Sequence, residues 1–244
     1  MPAALKPFGR AAKIIRFLAA PGSGDALRFV AQRPHILKMV SGRGEIALDL
    51  GCGSGFYGRE LAKSHRWTVL SDVNMDNLLT QVTVNPVCAR VRLCMPDLPF
   101  KSACADTIFL IEVLEHIEKD ELLVSEMSRI LKKRGTLVLS VPHPPEIGGV
   151  QEASETVAFG HVRGGYGYED IKALVERHGF RVMDRRYCLF YPARASLRLM
   201  LFLKKLWGVR PLNLFLMPLW MLDLLLPSRA FLKPYDIIIK AVKK

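Results

Sequence analysis

Short apolar runs recur along the chain at 45–50, 67–73, 91–95, 107–111, 136–141, 180–191 and 235–242, and their length and β-branched content predict strands. Between them, 25–40, 56–63, 75–84, 119–133 and 168–178 read as helices. Strand and helix therefore alternate, which predicts an α/β fold with a doubly wound sheet. Gly135, following Lys132-Lys133-Arg134, predicts where the helix over 119–133 stops, and Gly179 does the same for 168–178.

Over 45–55 the chain reads Glu-Ile-Ala-Leu-Asp-Leu-Gly-Cys-Gly-Ser-Gly, a strand that passes through Asp49 into glycines at 51, 53 and 55. Glycine lets the chain bend sharply and lets a ligand approach bare backbone. The segment Gly53-Ser-Gly55-Phe-Tyr-Gly58 also fits the dinucleotide pattern G-x-G-x-x-G. Dinucleotide folds, however, find their acid about 20 residues after the first glycine, whereas Asp49 stands two residues before it. A carboxylate there suits an ammonium group or the N–H groups of the loop itself. The next strand, 67–73, carries Asp72 at its end, 17 residues after Gly55. An acid in that position accepts hydrogen bonds from ribose hydroxyls in dinucleotide folds, and it also fits a cap of the helix over 75–84, which does not exclude the first role.

These residues resemble the class I S-adenosylmethionine-dependent methyltransferases, whose first motif is an acid, one residue, then glycines at alternate positions. Asp97-Leu-Pro-Phe100 and the run 105–117, which includes Val-Leu-Glu-His at 113–116, extend the resemblance beyond the loop. It implies a Rossmann-like sheet of seven strands, the last one antiparallel beside the fifth, with methyl transfer as the activity. It also implies S-adenosylmethionine as cofactor, with contacts at Asp49, Gly51, Cys52, Gly53, Gly55, Asp72, Val73, Asp97, Leu98 and Glu112. One departure stands out: the family's acid four residues before the Leu of Leu-Pro-Phe is Cys94 here. Asp97 is then either its substitute or a loop charge. Glu112, with Glu115 and Glu118, also fits the first turn of a helix, where carboxylates offset the dipole.

Charge changes the picture of the ends. Residues 1–44 carry eight Lys/Arg against one acid, 45–180 carry 14 against 19, and 181–244 carry 13 against three. Basic ends flank an acidic middle, which fits an anionic membrane surface, nucleic acid or an anionic substrate. Five cysteines without ligand spacing read as reduced thiols of a cytoplasmic protein, with no metal site.

The expected organisation is a basic amphipathic segment over 1–24, a cofactor-binding core over 25–192, an apolar insert over 193–234 and a final core strand over 235–244. The longest uncharged run of the insert, 211–222, is 12 residues with two prolines, short of the roughly 20 needed to cross a bilayer. Two short amphipathic helices are expected there, serving as a lid, a dimer contact or a membrane-surface anchor.

For a hydroxyl acceptor the protein must also take a proton, a task suited to histidine. His143 follows the fifth strand, and His161 lies in a His-x-Arg stretch (161–163) resembling small-molecule and sugar methyltransferases; both are expected as catalytic residues. His116 is a lesser candidate. Gly160, Gly164, Gly165 and Gly167 suggest a moving loop. The expected partner is a small lipophilic or anionic acceptor, with nucleic acid less favoured. The competing readings are an RNA methyltransferase and a non-catalytic cofactor-binding scaffold.

Overall fold

The computed structural model describes residues 24–40, 42–53, 55–84, 87–143, 162–208, 213–226 and 234–244. The expectations for 1–23 and for His161 fall outside them. Two compact units are present: Pro34–Cys188 with Ser228–Lys244, and Met1–Arg33 with Leu189–Pro227.

The larger unit is built on one seven-stranded sheet. Its strands are β1 (Gly44–Leu50), β2 (His65–Asp72), β3 (Ala89–Arg92), β4 (Ala105–Ile111), β5 (Leu131–Pro142), β6 (Phe180–Cys188) and β7 (Asp236–Lys243), in the order β3-β2-β1-β4-β5-β7-β6. β1 to β5 pair in parallel, and β7 runs antiparallel between β5 and β6. The antiparallel final strand beside the fifth is thus as expected. Ala47, Leu48 and Leu50 of β1, Ile108 to Leu110 of β4 and Leu137 to Leu139 of β5 are all buried. Strands covered on both faces read as unbroken apolar runs, which is why the sequence announced them.

The helices are α1 (Gly24–Met39), α2 (Gly58–Leu61), α3 (Met75–Val84), α4 (Asp120–Ile130), α5 (Tyr168–Arg177), α6 (Tyr191–Trp207) and α7 (Asn213–Leu225). Two expectations are corrected. The helix after the glycine loop shrinks to the single turn α2, and Gly58 within it packs so tightly that a Cβ would lie 2.4 Å from Leu70 Cδ2. α4 ends at Ile130 rather than at Gly135. The amides of Ala103 and Cys104 take the last helical carbonyls, those of Arg129 and Ile130, and Leu131 pairs with Ala105. Lys132 then reaches Asp106 at 2.7 Å, so the lysine-rich stretch opens β5 instead of closing a helix.

In the smaller unit α6 and α7 pack on each other, with Ala193, Ser196, Leu216 and Trp220 buried. No helix among the described residues is long and apolar enough to cross a membrane.

Candidate active site

Parallel strands deliver their carboxyl ends, and the loops after them, to one edge of the sheet, which is where open α/β sheets bind ligands. Asp49, Asp72, Glu112 and His143 all stand at that edge, at or just after the ends of β1, β2, β4 and β5.

Asp49 is buried, and its Oδ2 has no hydrogen-bond partner. Burial, reinforced by the nearby Asp72, raises its pKa from 3.8 to about 7. A buried oxygen without a partner costs free energy unless a ligand satisfies it, and the chemistry it calls for is a cation or a strong donor.

The chain then turns through Gly51, Gly53 and Gly55, at φ of +72°, +47° and +65°. These angles belong to the left-handed region, where a side chain is strained. Gly51 has a second reason to be glycine, because a Cβ there would meet Val113 Cγ2 at 2.4 Å. Around Gly53 a Cβ would meet nothing within 4 Å. The two positions therefore separate packing from binding. Gly51→Ala is expected to cost about 2–4 kcal/mol of stability, from strain plus overpacking against a stiff β-branched side chain. Gly53→Ala should cost about 1 kcal/mol while weakening any ligand laid on the loop. Denaturant unfolding and ligand titration of both variants check the contrast.

Asp72 ties this loop to the second strand. Its Oδ2 accepts the Gly53 N–H and its Oδ1 the Asn74 N–H, both at 2.8 Å. A carboxylate accepts about four hydrogen bonds, so both oxygens keep capacity for hydroxyl donors. The helix-cap alternative goes to another residue: Asn74 Oδ1 accepts the Asp76 N–H at 2.8 Å in the first turn of α3. Cys52 donates its N–H to Ser71 O at 2.8 Å, and burial followed by the two aspartates pushes its thiol far above its usual range. Val73 is exposed beside Asp72.

Glu112 is not in a helix turn. It follows β4 at φ +56°, accepts the Ser140 hydroxyl at 2.5 Å and donates its N–H to Ser140 O at 2.9 Å. A non-glycine residue in that conformation stores strain that its surroundings must impose, and Ser140 on β5 supplies the restraint. Asp97 is exposed, whereas Leu98 is buried, with its carbonyl held by Arg129 at 3.1 Å. Cys94 is exposed.

His143 is buried at the end of β5. Its N–H reaches Tyr235 O at 2.6 Å, its Nδ1 lies 3.0 Å from Tyr166 O, and its ring sits 5.4 Å from that of Tyr187. A carbonyl only accepts, so Nδ1 carries the proton. His116 is by contrast partly exposed, 3.9 Å from the buried Glu115. The described part of the glycine-rich loop is held by side-chain contacts to the segment after β4 and to α4. Arg163 binds the Asp120 carboxylate and the carbonyls of Ile117 and Glu118 at 2.9 and 3.1 Å, and the Tyr166 hydroxyl donates to Asp120 at 2.7 Å. Gly165 is needed for close approach, since a Cβ would lie 2.3 Å from Pro142 O. Asp120→Ala strands the Tyr166 hydroxyl and leaves Arg163 only its two carbonyl partners, and is expected to lower stability by about 2 kcal/mol, measurable as a drop in Tm.

Ser140, Asn74, Tyr166 and Asp120 escaped the sequence reading. A lone hydroxyl inside the apolar strand run was the only available signal, for Ser140.

Residues 48–139 match the family described as a methyltransferase domain. A crystal structure of an S-adenosylmethionine-dependent methyltransferase from Mesorhizobium loti superposes with a TM-score of 0.62 at 17% identity, over 87% of this chain and 97% of that one. The chain carries a methyltransferase domain of the class I, S-adenosylmethionine-dependent fold. Among curated proteins, this chain is 24% identical over 161 residues to the O-methyltransferase rstn1 of Aspergillus nomiae, covering 60% of this chain and 69% of that protein. It also shares the fold of phosphoethanolamine N-methyltransferase 2 from Haemonchus contortus, solved with S-adenosyl-L-methionine, with a TM-score of 0.61 and 18% identity over 92% of this chain and 53% of that one.

Proposed function

We propose that this methyltransferase holds S-adenosylmethionine at the carboxyl ends of β1, β2 and β4 and methylates a hydroxyl of a small lipophilic or anionic acceptor. The observation that carries the cofactor placement is the buried Asp49 Oδ2 without a partner, beside a loop open at Gly53. An ammonium fits the one and a nucleoside laid on bare backbone fits the other. Asp49 and the loop from Gly51 through Cys52 and Gly53 to Gly55 would hold the amino-acid end. Asp72, next to Val73, keeps capacity for ribose hydroxyls. Glu112, fixed by Ser140, would stand by the methionine end, and Asp97 and Leu98 would flank the adenine. When bound, the cofactor supplies an activated methyl on sulfur and its own leaving group.

The chain's remaining tasks are to orient the acceptor and remove its proton. With Nδ1–H committed to Tyr166 O, the lone pair of His143 resides on Nε2, the tautomer that a general base requires. His161 is a second candidate base. The relative from Aspergillus is an O-methyltransferase by name, which favours the same acceptor atom. Five free thiols suit a reducing cytoplasm.

Transfer of tritiated methyl from S-adenosylmethionine into fractionated lipid, glycan and RNA tests the reading. Label in an organic-soluble or glycan product supports it. Label in RNA supports the nucleic-acid alternative, and cofactor binding without transfer to any fraction supports the scaffold alternative.

A further inference from the structure

The smaller unit carries an apolar surface that nothing in the catalytic reading uses. On α7, Leu214, Met221, Leu222 and Leu225 are exposed at 52%, 52%, 48% and 80%. Their spacing places them, with the exposed Pro218, on one helical face, while Leu216 and Trp220 occupy the buried one. Phe215, 69% exposed, borders the same face. On α6, Leu199, Phe202 and Leu206 are exposed at spacings of three and four, and Trp207 is 70% exposed at the helix end. Two adjacent helices thus present a row of large apolar side chains to solvent, a feature that marks an interaction surface.

Charge says what covers it. Residues 193–234 contain seven Lys/Arg and a single acid, Asp223. α6 carries Arg194, Arg198, Lys204 and Lys205 in its sequence, and Lys205 is exposed on the same helix as the exposed Leu199, Phe202 and Leu206. A second copy of this chain would set two such cationic surfaces against each other, and duplex nucleic acid has no use for exposed Leu and Met. An anionic bilayer satisfies both features at once, because apolar side chains enter the acyl boundary while Lys and Arg reach the headgroup phosphates. α7 has 13 residues, about 20 Å of helix at 1.5 Å per residue, against the roughly 30 Å of the hydrocarbon core. It can lie in the interface and cannot span it.

We propose that α6 and α7 form an interfacial anchor that docks this methyltransferase on anionic membranes, with Phe202, Leu206, Trp207, Phe215, Leu222 and Leu225 entering the lipid. Such docking goes beyond the activity proposed above and is measured without cofactor or acceptor, so failure of either leaves the other standing.

The test is co-sedimentation of the full-length protein with vesicles of phosphatidylcholine alone and of equimolar phosphatidylcholine and phosphatidylglycerol. Binding to the anionic vesicles is expected to exceed neutral binding about tenfold or more and to fall with added salt, since the attraction of Lys and Arg to lipid phosphates is screened by ions. The double variant Phe215→Glu with Leu222→Glu, both at exposed positions, should lose binding about tenfold or more with its Tm unchanged. Lys204→Glu with Lys205→Glu should abolish the preference for anionic lipid. Equal binding to both vesicles, or no binding, overturns the proposal. So does an apolar-face double variant that binds membranes normally while turning a dimer into a monomer by sedimentation velocity, which would assign this face to a second copy.

Discussion

Replacing His143 with asparagine is expected to lower kcat by about 10²–10⁴-fold, the range general-base catalysis supplies, while leaving S-adenosylmethionine affinity close to that of the parent. Asparagine keeps an N–H near the Nδ1 position and so retains a donor for Tyr166 O, the contact that orients the parent ring. It removes the basic Nε2. A structural role for the ring would show instead as a loss of Tm, because His143 is buried against Tyr187. The kinetics separate the two: a fall in kcat at unchanged KM and Tm marks lost proton transfer, and an unchanged kcat removes His143 from the chemistry. His161→Ala is the companion variant, and a larger loss there would move the base to that position.

The second large effect is at Asp49, where stability and binding are expected to move in opposite directions. Burial, with Asp72 nearby, raises its pKa from 3.8 to about 7, so the folded protein without cofactor prefers the neutral acid. The folded pKa lies above the unfolded one, hence the native state holds the extra proton between about pH 4 and 7. Stability from this group is full below pH 4 and is lost as pH rises through 7. Asp49→Asn removes that loss. Its Tm without cofactor should exceed that of the parent at pH 8, with the advantage shrinking as pH falls toward 4. Binding reverses the order, because an ammonium ligand needs the ionised carboxylate. Parent affinity should increase with pH up to about 7, with proton release on binding below it, and the variant should bind about 10- to 100-fold more weakly at pH 8, the worth of a charged hydrogen bond. Thermal unfolding across pH with paired calorimetric titrations checks both halves. Parent and variant binding alike at pH 8 would remove Asp49 from the cofactor site.

The central strands were legible because burial on both faces leaves an unbroken apolar signature, as in Ile108 to Leu110. The turn after β1 was legible for a stricter reason: positive φ at three alternate positions demands glycine. What the sequence hid depends on partners far along the chain. Gly135 looked like a helix stop, yet α4 ends at Ile130 because amides from residues 103 and 104 take its final carbonyls. Glu112 was readable as a cofactor contact or as a dipole-facing carboxylate, and neither reading showed that Ser140, 28 residues away, holds it. Asp72 was readable as an acceptor for ribose hydroxyls and as a helix cap, and the Asn74–Asp76 contact gives the cap to Asn74. Gly165 was read only as part of a loop that moves, and its close approach to Pro142 O could not be read from the sequence. Local chemistry was visible in sequence; the restraints that position it were not.

The most direct test of the cofactor placement is a crystal structure with S-adenosylhomocysteine bound. The account predicts the nucleoside at the carboxyl ends of β1, β2 and β4, with its amino group meeting Asp49, directly or through one water, and its ribose hydroxyls meeting Asp72. Density for the nucleoside at any other place, or Asp49 still without a partner beside it, would contradict the account.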